Sequence, residues 1–314
     1  MMDLVFCGTP IFAVPTLEKL VATGFRVRLV VTQPDRPAGR GMQPAASPVK
    51  NAALALDLPI MQPDKIKNNA EFGVALEAIK PEAIIVVGYG RIIPQWMIQL
   101  PPLGNLNLHG SLLPKYRGAA PIQWAIAMGE TVTGVTTMRI DAGLDTGDIL
   151  LQAEERILPE DTAGTLAPRL AQAGAELMIA TLAGLKNGSV KPRPQNNSQA
   201  TLAPILRRED GLLDFSHTAT DAWNRMRGFQ PWPGAYTHFR GKTLQIYAAV
   251  PAENNCCVPP ARFAVDGERL LMGFAHDTAL EIYELQVEGK KRMSSRDFIN
   301  GYRPRAEEQL ANSK

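Results

Sequence analysis

Hydrophobic positions fall along the chain in two alternating rhythms. Short, nearly continuous apolar runs at 4–7, 27–31 and 84–87 have the length and density of strands buried on both faces. Leu106 and Leu108, alternating with Asn105, Asn107 and His109, mark another strand entered through Gly104. Runs at 132–140 and 149–157 predict two more. Between these runs the spacing turns helical, at 14–23 (ended by Gly24) and at 48–56. A longer helix is predicted over 165–186, where Leu166, Leu170, Leu177 and Leu185 recur at helical spacing before Asn187-Gly188 stops it. Strand–helix alternation predicts a doubly wound, Rossmann-like α/β domain over 1–188 with a mostly parallel sheet.

The pattern changes at 189. The stretch Ser-Val-Lys-Pro-Arg-Pro-Gln-Asn-Asn-Ser-Gln is polar and proline-bearing, so 189–208 reads as a linker. It is also basic: Lys186, Lys191, Arg193, Arg207 and Arg208 follow one another with no acid between. Beyond it come a short helix near 219–227 and closely spaced strands at 244–250, 262–265, 270–274 and 280–286. That spacing predicts a small β-barrel or sandwich over 209–314. A last helix starts at Ser294, with Asp297 as its capping partner.

A length of 314 residues suits two domains. The formal charge is only +2, and both halves are close to neutral, so a nucleic-acid site must be a local patch. Cys7, Cys256 and Cys257 make neither a disulfide framework nor a metal-ligand spacing, which points to a reducing compartment. No basic leader or long apolar run opens the chain, and no run could cross a bilayer. The cytoplasm is the expected location, and a monomer without a metal the expected form. After Gly8-Thr9-Pro10 no Gly-x-Gly-x-x-Gly follows, so that turn gives no dinucleotide site.

Chemistry concentrates at the strand near 106. Asn107 and His109 lie two apart, so their side chains share a face where a strand gives way to a loop. In open α/β sheets ligands bind at that carboxyl edge. A carboxamide can donate to a developing oxyanion, and an imidazole moves protons near neutral pH, a pairing suited to acyl transfer. The loop Asp141-Ala142-Gly143-Leu144-Asp145-Thr146-Gly147-Asp148 can bring a carboxylate to that histidine, though spacing does not say which.

Asn-Leu-His-Gly-Ser-Leu-Leu-Pro-Lys-Tyr-Arg-Gly-Ala-Ala-Pro-Ile, followed by Asp-Ala-Gly-Leu-Asp-Thr-Gly-Asp, resembles the folate-dependent formyltransferases. Phe6-Cys7-Gly8-Thr9-Pro10, the stretch from Gln33 to Gly41, Gln-Pro-Trp-Pro-Gly-Ala from Gln230, and Gly289-Lys290-Lys291-Arg292-Met293 carry the likeness through nearly the whole chain. They resemble the members whose acceptor is methionine esterified to initiator tRNA. Gln230, where asparagine is more familiar, and the Arg207-Arg208-Glu209-Asp210 segment depart from the pattern.

The resemblance implies a formyl donor, 10-formyltetrahydrofolate, and a C-terminal barrel of the OB-like kind that binds tRNA. It implies that Asn107, His109 and Asp145 are catalytic, and it is what selects Asp145 among the three aspartates. Asn107 would donate to the oxyanion, with His109 as second donor or proton carrier. Asp145 would fix the imidazole and help take the amine's proton. Ser111, Leu112, Leu113 and Pro114 would line the folate site, with the backbone of Val87, Gly88, Tyr89, Gly90, Arg91 and Ile92 facing the pterin. The long loop at 34–50 holds Arg36, Arg40 and Lys50 against Asp35 alone, and in the family it meets the acceptor stem. Arg207, Arg208, Lys290, Lys291 and Arg292 are further phosphate-contact candidates. Trp232 and its neighbours at 229–233 are expected to pack in the core or between domains. Two other readings stay open: an amino-sugar or another amine as acceptor, and a folate- or RNA-binding module without catalysis.

Overall fold

The computed structural model describes residues 2–38, 43–253 and 257–310. Two compact units emerge, each assembled from three stretches of chain. Met1–Pro121, Val132–Arg156 and Ala167–Pro204 form the first; Ile122–Thr131, Ile157–Leu166 and Ile205–Lys314 form the second.

The strands of the first unit are β1 (Asp3–Gly8), β2 (Arg26–Val31), β3 (Arg36–Ala38), β4 (Gln43–Ala45), β5 (Ile60–Met61), β6 (Ala83–Val87), β7 (Asn105–His109), β8 (Val132–Arg139) and β9 (Ile149–Arg156). Seven of them form one sheet in the order β5-β2-β1-β6-β7-β8-β9. It is parallel from β5 to β7, and β8 then runs antiparallel to both of its neighbours, β7 and β9. β6 is buried at all five positions, as its unbroken Ala-Ile-Ile-Val-Val requires of a central parallel strand.

The helices in chain order are α1 (Val14–Ala22), α2 (Pro48–Ala55), α3 (Ala70–Ile79), α4 (Gln95–Ile98), α5 (Pro121–Ala127) and α6 (Ala163–Asn187). α3, α4 and α5 are absent from the sequence reading. In α3 the small residues Ala70, Gly73, Ala75 and Ala78 dilute the stripe, and only Phe72 and Leu76 are buried; Asn69 caps it by accepting from the Phe72 N–H. α6 lies against β7 because residue 174 is glycine: a Cβ there would stand 2.5 Å from Leu108 Cδ2. The leucine face of β7 is thus covered.

Two stretches expected to be loop or linker are folded. Within 34–50, β3 and β4 pair antiparallel, and α2 begins at Pro48 as the helical spacing predicts. Arg40, with Gly39 and Gly41, lies outside the described residues. The polar run after α6 folds back on the first unit: Arg193 and Ile149 exchange backbone hydrogen bonds of 2.9 Å, and Arg117 donates to the Thr201 carbonyl and accepts from the Ala203 N–H.

The second unit contains α7 (Ala219–Gly228), β10 (Ala235–Phe239), β11 (Lys242–Pro251), β12 (Phe263–Asp266), β13 (Arg269–Phe274), β14 (Thr278–Val287), β15 (Met293–Ser294) and α8 (Ser295–Tyr302). The strands form an antiparallel sheet, β10-β11-β14-β13-β12, with β15 on β14. Phe239, Phe263, Phe274 and Phe298 fill its core. Ser294 caps α8 by accepting from the Asp297 N–H. α5 belongs here too: Trp124 meets Phe229 edge to face at 5.1 Å. Trp232 is not packed as expected but is 57% exposed, because it sits in the turn between α7 and β10 while Phe229 takes the core place. No described helix is long and apolar enough to cross a membrane.

Candidate active site

β7 carries the first two site residues. Asn107 stands beside Val86 of β6 and Met138 of β8, and His109 opposite Thr136. The Asn107 carboxamide is half-buried and makes no hydrogen bond to another described residue. His109 is buried, with Nε2 2.8 Å from the Tyr116 carbonyl. A carbonyl only accepts, so Nε2 carries the hydrogen. Nδ1 therefore holds the lone pair of the neutral ring, and it faces Asp145 Oδ2 at 3.7 Å. The hydrogen bond that fixes the ring is the one the Tyr116 carbonyl accepts; Asp145 stands beyond hydrogen-bond length.

Asp145 is the carboxylate of the acidic loop that reaches the histidine. Asp141 is exposed and occupied within the loop, accepting from the Gly143 N–H and the Thr146 hydroxyl. Asp145 itself has a φ of +50°, a left-handed backbone uncommon outside glycine, asparagine and aspartate. Three contacts hold it. Its Oδ2 accepts from the Gly118 N–H at 2.8 Å, and Gln195 Nε2 donates to its carbonyl at 2.8 Å and to the Gly147 carbonyl at 2.7 Å. Gly118 has a φ of +122°, and a Cβ there would lie 2.6 Å from the Ala203 carbonyl oxygen, so only glycine presents this N–H. Gly118 lies in the segment that follows β7 and resembles the formyltransferases. Gln195 gave no signal, because it lies fifty residues from Asp145 in the polar run.

The folate candidates divide. Ser111 is fully buried and its hydroxyl donates to the Lys115 carbonyl, so it braces the turn and does not line a surface. Leu113 is tied at both backbone groups, donating to Thr136 Oγ1 and accepting from Gln152 Nε2. Leu112 and Pro114 are half-buried. In the other segment Val87 and Tyr89 are buried, and the Tyr89 carbonyl accepts from Gln33 Nε2 at 3.0 Å and from Thr9 Oγ1. Burial pushes the Tyr89 hydroxyl well above its usual range, keeping it neutral. Gly88 and Gly90 both have positive φ, Arg91 Nε donates to Gln33, and the Ile92 side chain is 93% exposed.

The basic candidates also separate. Lys50 is paired with Asp35, whose carboxyl is held below its ordinary range by hydrogen bonds from Lys50 and Gln62. Arg292 is paired with Glu284 and lies over the Tyr247 ring at 4.4 Å. Arg208 lies over Tyr236 at 5.9 Å. Arg36, Arg207, Lys290 and Lys291 are exposed and have no ion pair among the described residues. No group of three His, Cys, Asp or Glu side chains is placed to hold a metal among the described residues.

The family model described as formyl transferase matches residues 2–182, more than half the chain, and the model of its C-terminal domain matches 205–303. The chain belongs to the formyl transferase family. Relatives within the family extend end to end. The methionyl-tRNA formyltransferase of Koribacter versatilis is 65% identical over 309 residues, 98% of each chain. That of Acidobacterium capsulatum is 62% identical over 300 residues, 96% of each. Among solved structures, the N-formyltransferase from Helicobacter canadensis in complex with folinic acid and dTDP-3-aminofucose aligns with a TM-score of 0.67 at 20% identity, over 90% of this chain and 99% of that one. HypX from Aquifex aeolicus in complex with tetrahydrofolic acid gives 0.61 at 19%, over 96% of this chain and 47% of that one. At these identities the likeness concerns the fold alone.

Proposed function

We propose that this formyl transferase moves the formyl group of 10-formyltetrahydrofolate to the α-amine of methionine esterified to initiator tRNA, in the cytoplasm, with Asn107, His109 and Asp145 at the reacting atoms. The acceptor is favoured by full-length relatives at 65% and 62% identity that carry that name. The observation that supports the chemistry is the arrangement on β7: an unengaged carboxamide and, on the same face, an imidazole whose free nitrogen faces a carboxylate.

The amine lone pair attacks the formyl carbon, and the carbonyl electron pair moves to oxygen. The Asn107 N–H donates to that oxyanion, at no cost in internal hydrogen bonds because it leaves none behind. His109 Nδ1 takes the proton that the attacking nitrogen sheds, and the Asp145 carboxylate at 3.7 Å stabilises the resulting imidazolium. The intermediate collapses, the bond from carbon to N10 of the folate breaks, and the proton returns to N10. Gly88, Gly90 and the exposed Ile92, together with Leu112 and Pro114, offer backbone groups and apolar surface for the pterin. Arg36, Arg207, Lys290 and Lys291 are the candidate cations for tRNA phosphates, since none has an ion pair among the described residues.

Steady-state formyl transfer to charged initiator tRNA, charged elongator methionine tRNA and a nucleotide-linked amino-sugar tests the reading. Turnover should favour the initiator. Preference for the amino-sugar would replace the acceptor while keeping the chemistry, and no transfer to any of them would remove the reaction itself.

A further inference from the structure

We infer that Gln195 is a positioning residue for this reaction, the brace that holds the Asp145 loop against His109. The inference rests on the roles proposed above for His109 and Asp145. It starts from a buried charge. The Arg117 guanidinium is only 7% exposed, yet has no carboxylate partner among the described residues. It donates instead to two side-chain carbonyls, through Nε and Nη2 to Gln195 Oε1 at 3.1 and 2.7 Å and through Nη2 to Asn197 Oδ1 at 2.8 Å.

A guanidinium has donors and no acceptor, so Gln195 must present its oxygen to Arg117. The orientation of the amide is thereby fixed. Its two N–H groups then face the acidic loop and meet the carbonyls of Asp145 and Gly147. All of the glutamine's hydrogen-bonding capacity is directed, half to the cation and half to the loop. The residue after Arg117 closes the same arrangement, for the Gly118 N–H holds the Asp145 carboxylate. Arg117 and its neighbour therefore fix both the backbone and the side chain of Asp145. A non-glycine residue at a φ of +50° persists only where its surroundings over-determine it, and these contacts supply that constraint. The Asp145–His109 separation depends on where this loop stands, so a loop shift of an ångström would weaken stabilisation of the imidazolium.

The test is Gln195→Glu, which keeps the side chain's length and an oxygen for Arg117 but turns acceptors toward two carbonyl oxygens. We expect kcat for Met-tRNA to fall about tenfold to hundredfold, the usual cost of misplacing a catalytic group by an ångström. KM for donor and for tRNA should stay within about threefold, because substrate contacts are not removed. In an Asp145→Ala background the same substitution should change kcat little, since the group it positions is gone. Gln195→Met, equally long and without hydrogen bonds, serves as the second variant if the glutamate does not fold, with the same expectations. Near-wild-type kcat in the folded variant, or an equal fold-loss in both backgrounds, would overturn the inference while leaving Asp145 in place. Full activity of Asp145→Ala alone would overturn the reading of Asp145 and the brace with it.

Discussion

His109 has one ring nitrogen committed and one open, and that asymmetry comes from a backbone carbonyl seven residues away. His109→Ala should lower kcat about 10²–10⁴-fold, the range for a positioned proton-transfer group. Asn107→Ala should lower it about 10²–10³-fold, as for a lost oxyanion donor. Asn107→Ala should leave thermal unfolding near that of the unaltered protein, while His109→Ala should lower the melting temperature by removing the buried hydrogen bond to the Tyr116 carbonyl but still fold, and formylation with thermal melts checks the pair. Near-wild-type turnover of either would remove its role. At the same scale, Cys7 lies fully buried in β1, and burial pushes its thiol well above the ordinary range. Alkylation mapped by mass spectrometry should label the exposed Cys257 in the native protein and Cys7 only after unfolding. Rapid native labelling of Cys7 would show that β1 opens readily. The pairing of Asn107 with His109 was legible because a strand's period of two is fixed by the backbone. The choice among Asp141, Asp145 and Asp148 was not, because loop spacing says nothing of which carboxylate turns inward.

Helix caps carry the element scale. Thr218 caps α7 by accepting from the Asp221 N–H, and the Asp221 carboxylate accepts from the Thr218 N–H and hydroxyl. Thr218→Ala should cost about 1 kcal/mol in urea unfolding. Hydrogen bonds from Thr218 hold Asp221 below its ordinary range. A lowered folded value adds stability above the unfolded value of about 3.9 and loses it as pH falls through the folded one. The stability gap between the unaltered protein and Asp221→Asn should thus be largest near neutrality and shrink in acid. Urea melts across that range check it, and a gap that grows in acid would reverse the sign. Strong elements such as β6 and α6 were legible from their runs and stripe. α3 and α4 were not, one diluted by small residues and the other a single turn, and β10 was hidden because Thr237 and His238 are buried beside Phe239.

With a charge of +2 spread evenly, the whole molecule has no long-range field to gather tRNA, so affinity must come from a few cations. The paired double substitution Lys290→Glu, Lys291→Glu should raise KM for tRNA, more steeply at low salt, and leave KM for the formyl donor unchanged. Unchanged tRNA kinetics would free that turn from the role. The composition of the units leads to a second expectation. α5 lies sixty residues or more before the bulk of the second unit, yet packs there, with Trp124 on Phe229 and the Gly228 site pressed against the Gln123 carbonyl. A fragment ending at residue 208 would strip that apolar face of its cover, and should bind a hydrophobic dye far more strongly than the full chain. Dye binding no greater than the full chain's would mean α5 is covered without the second unit.

By itself the sequence determined the parallel α/β alternation, the strand that bears Asn107 and His109, the closely spaced strands of the second half, the cap at Ser294 and the stop at Gly24. Each depends on period and local chemistry, which the backbone imposes over a few residues. Tertiary structure alone decided that the polar run at 189–204 folds back as part of the first unit, that α5 joins the second, that Lys50 is consumed by Asp35, and that Gln195 and Gly118 hold Asp145. These are contacts between residues tens of positions apart, and which donor meets which acceptor is set only when the sheet and its loops have closed on one another.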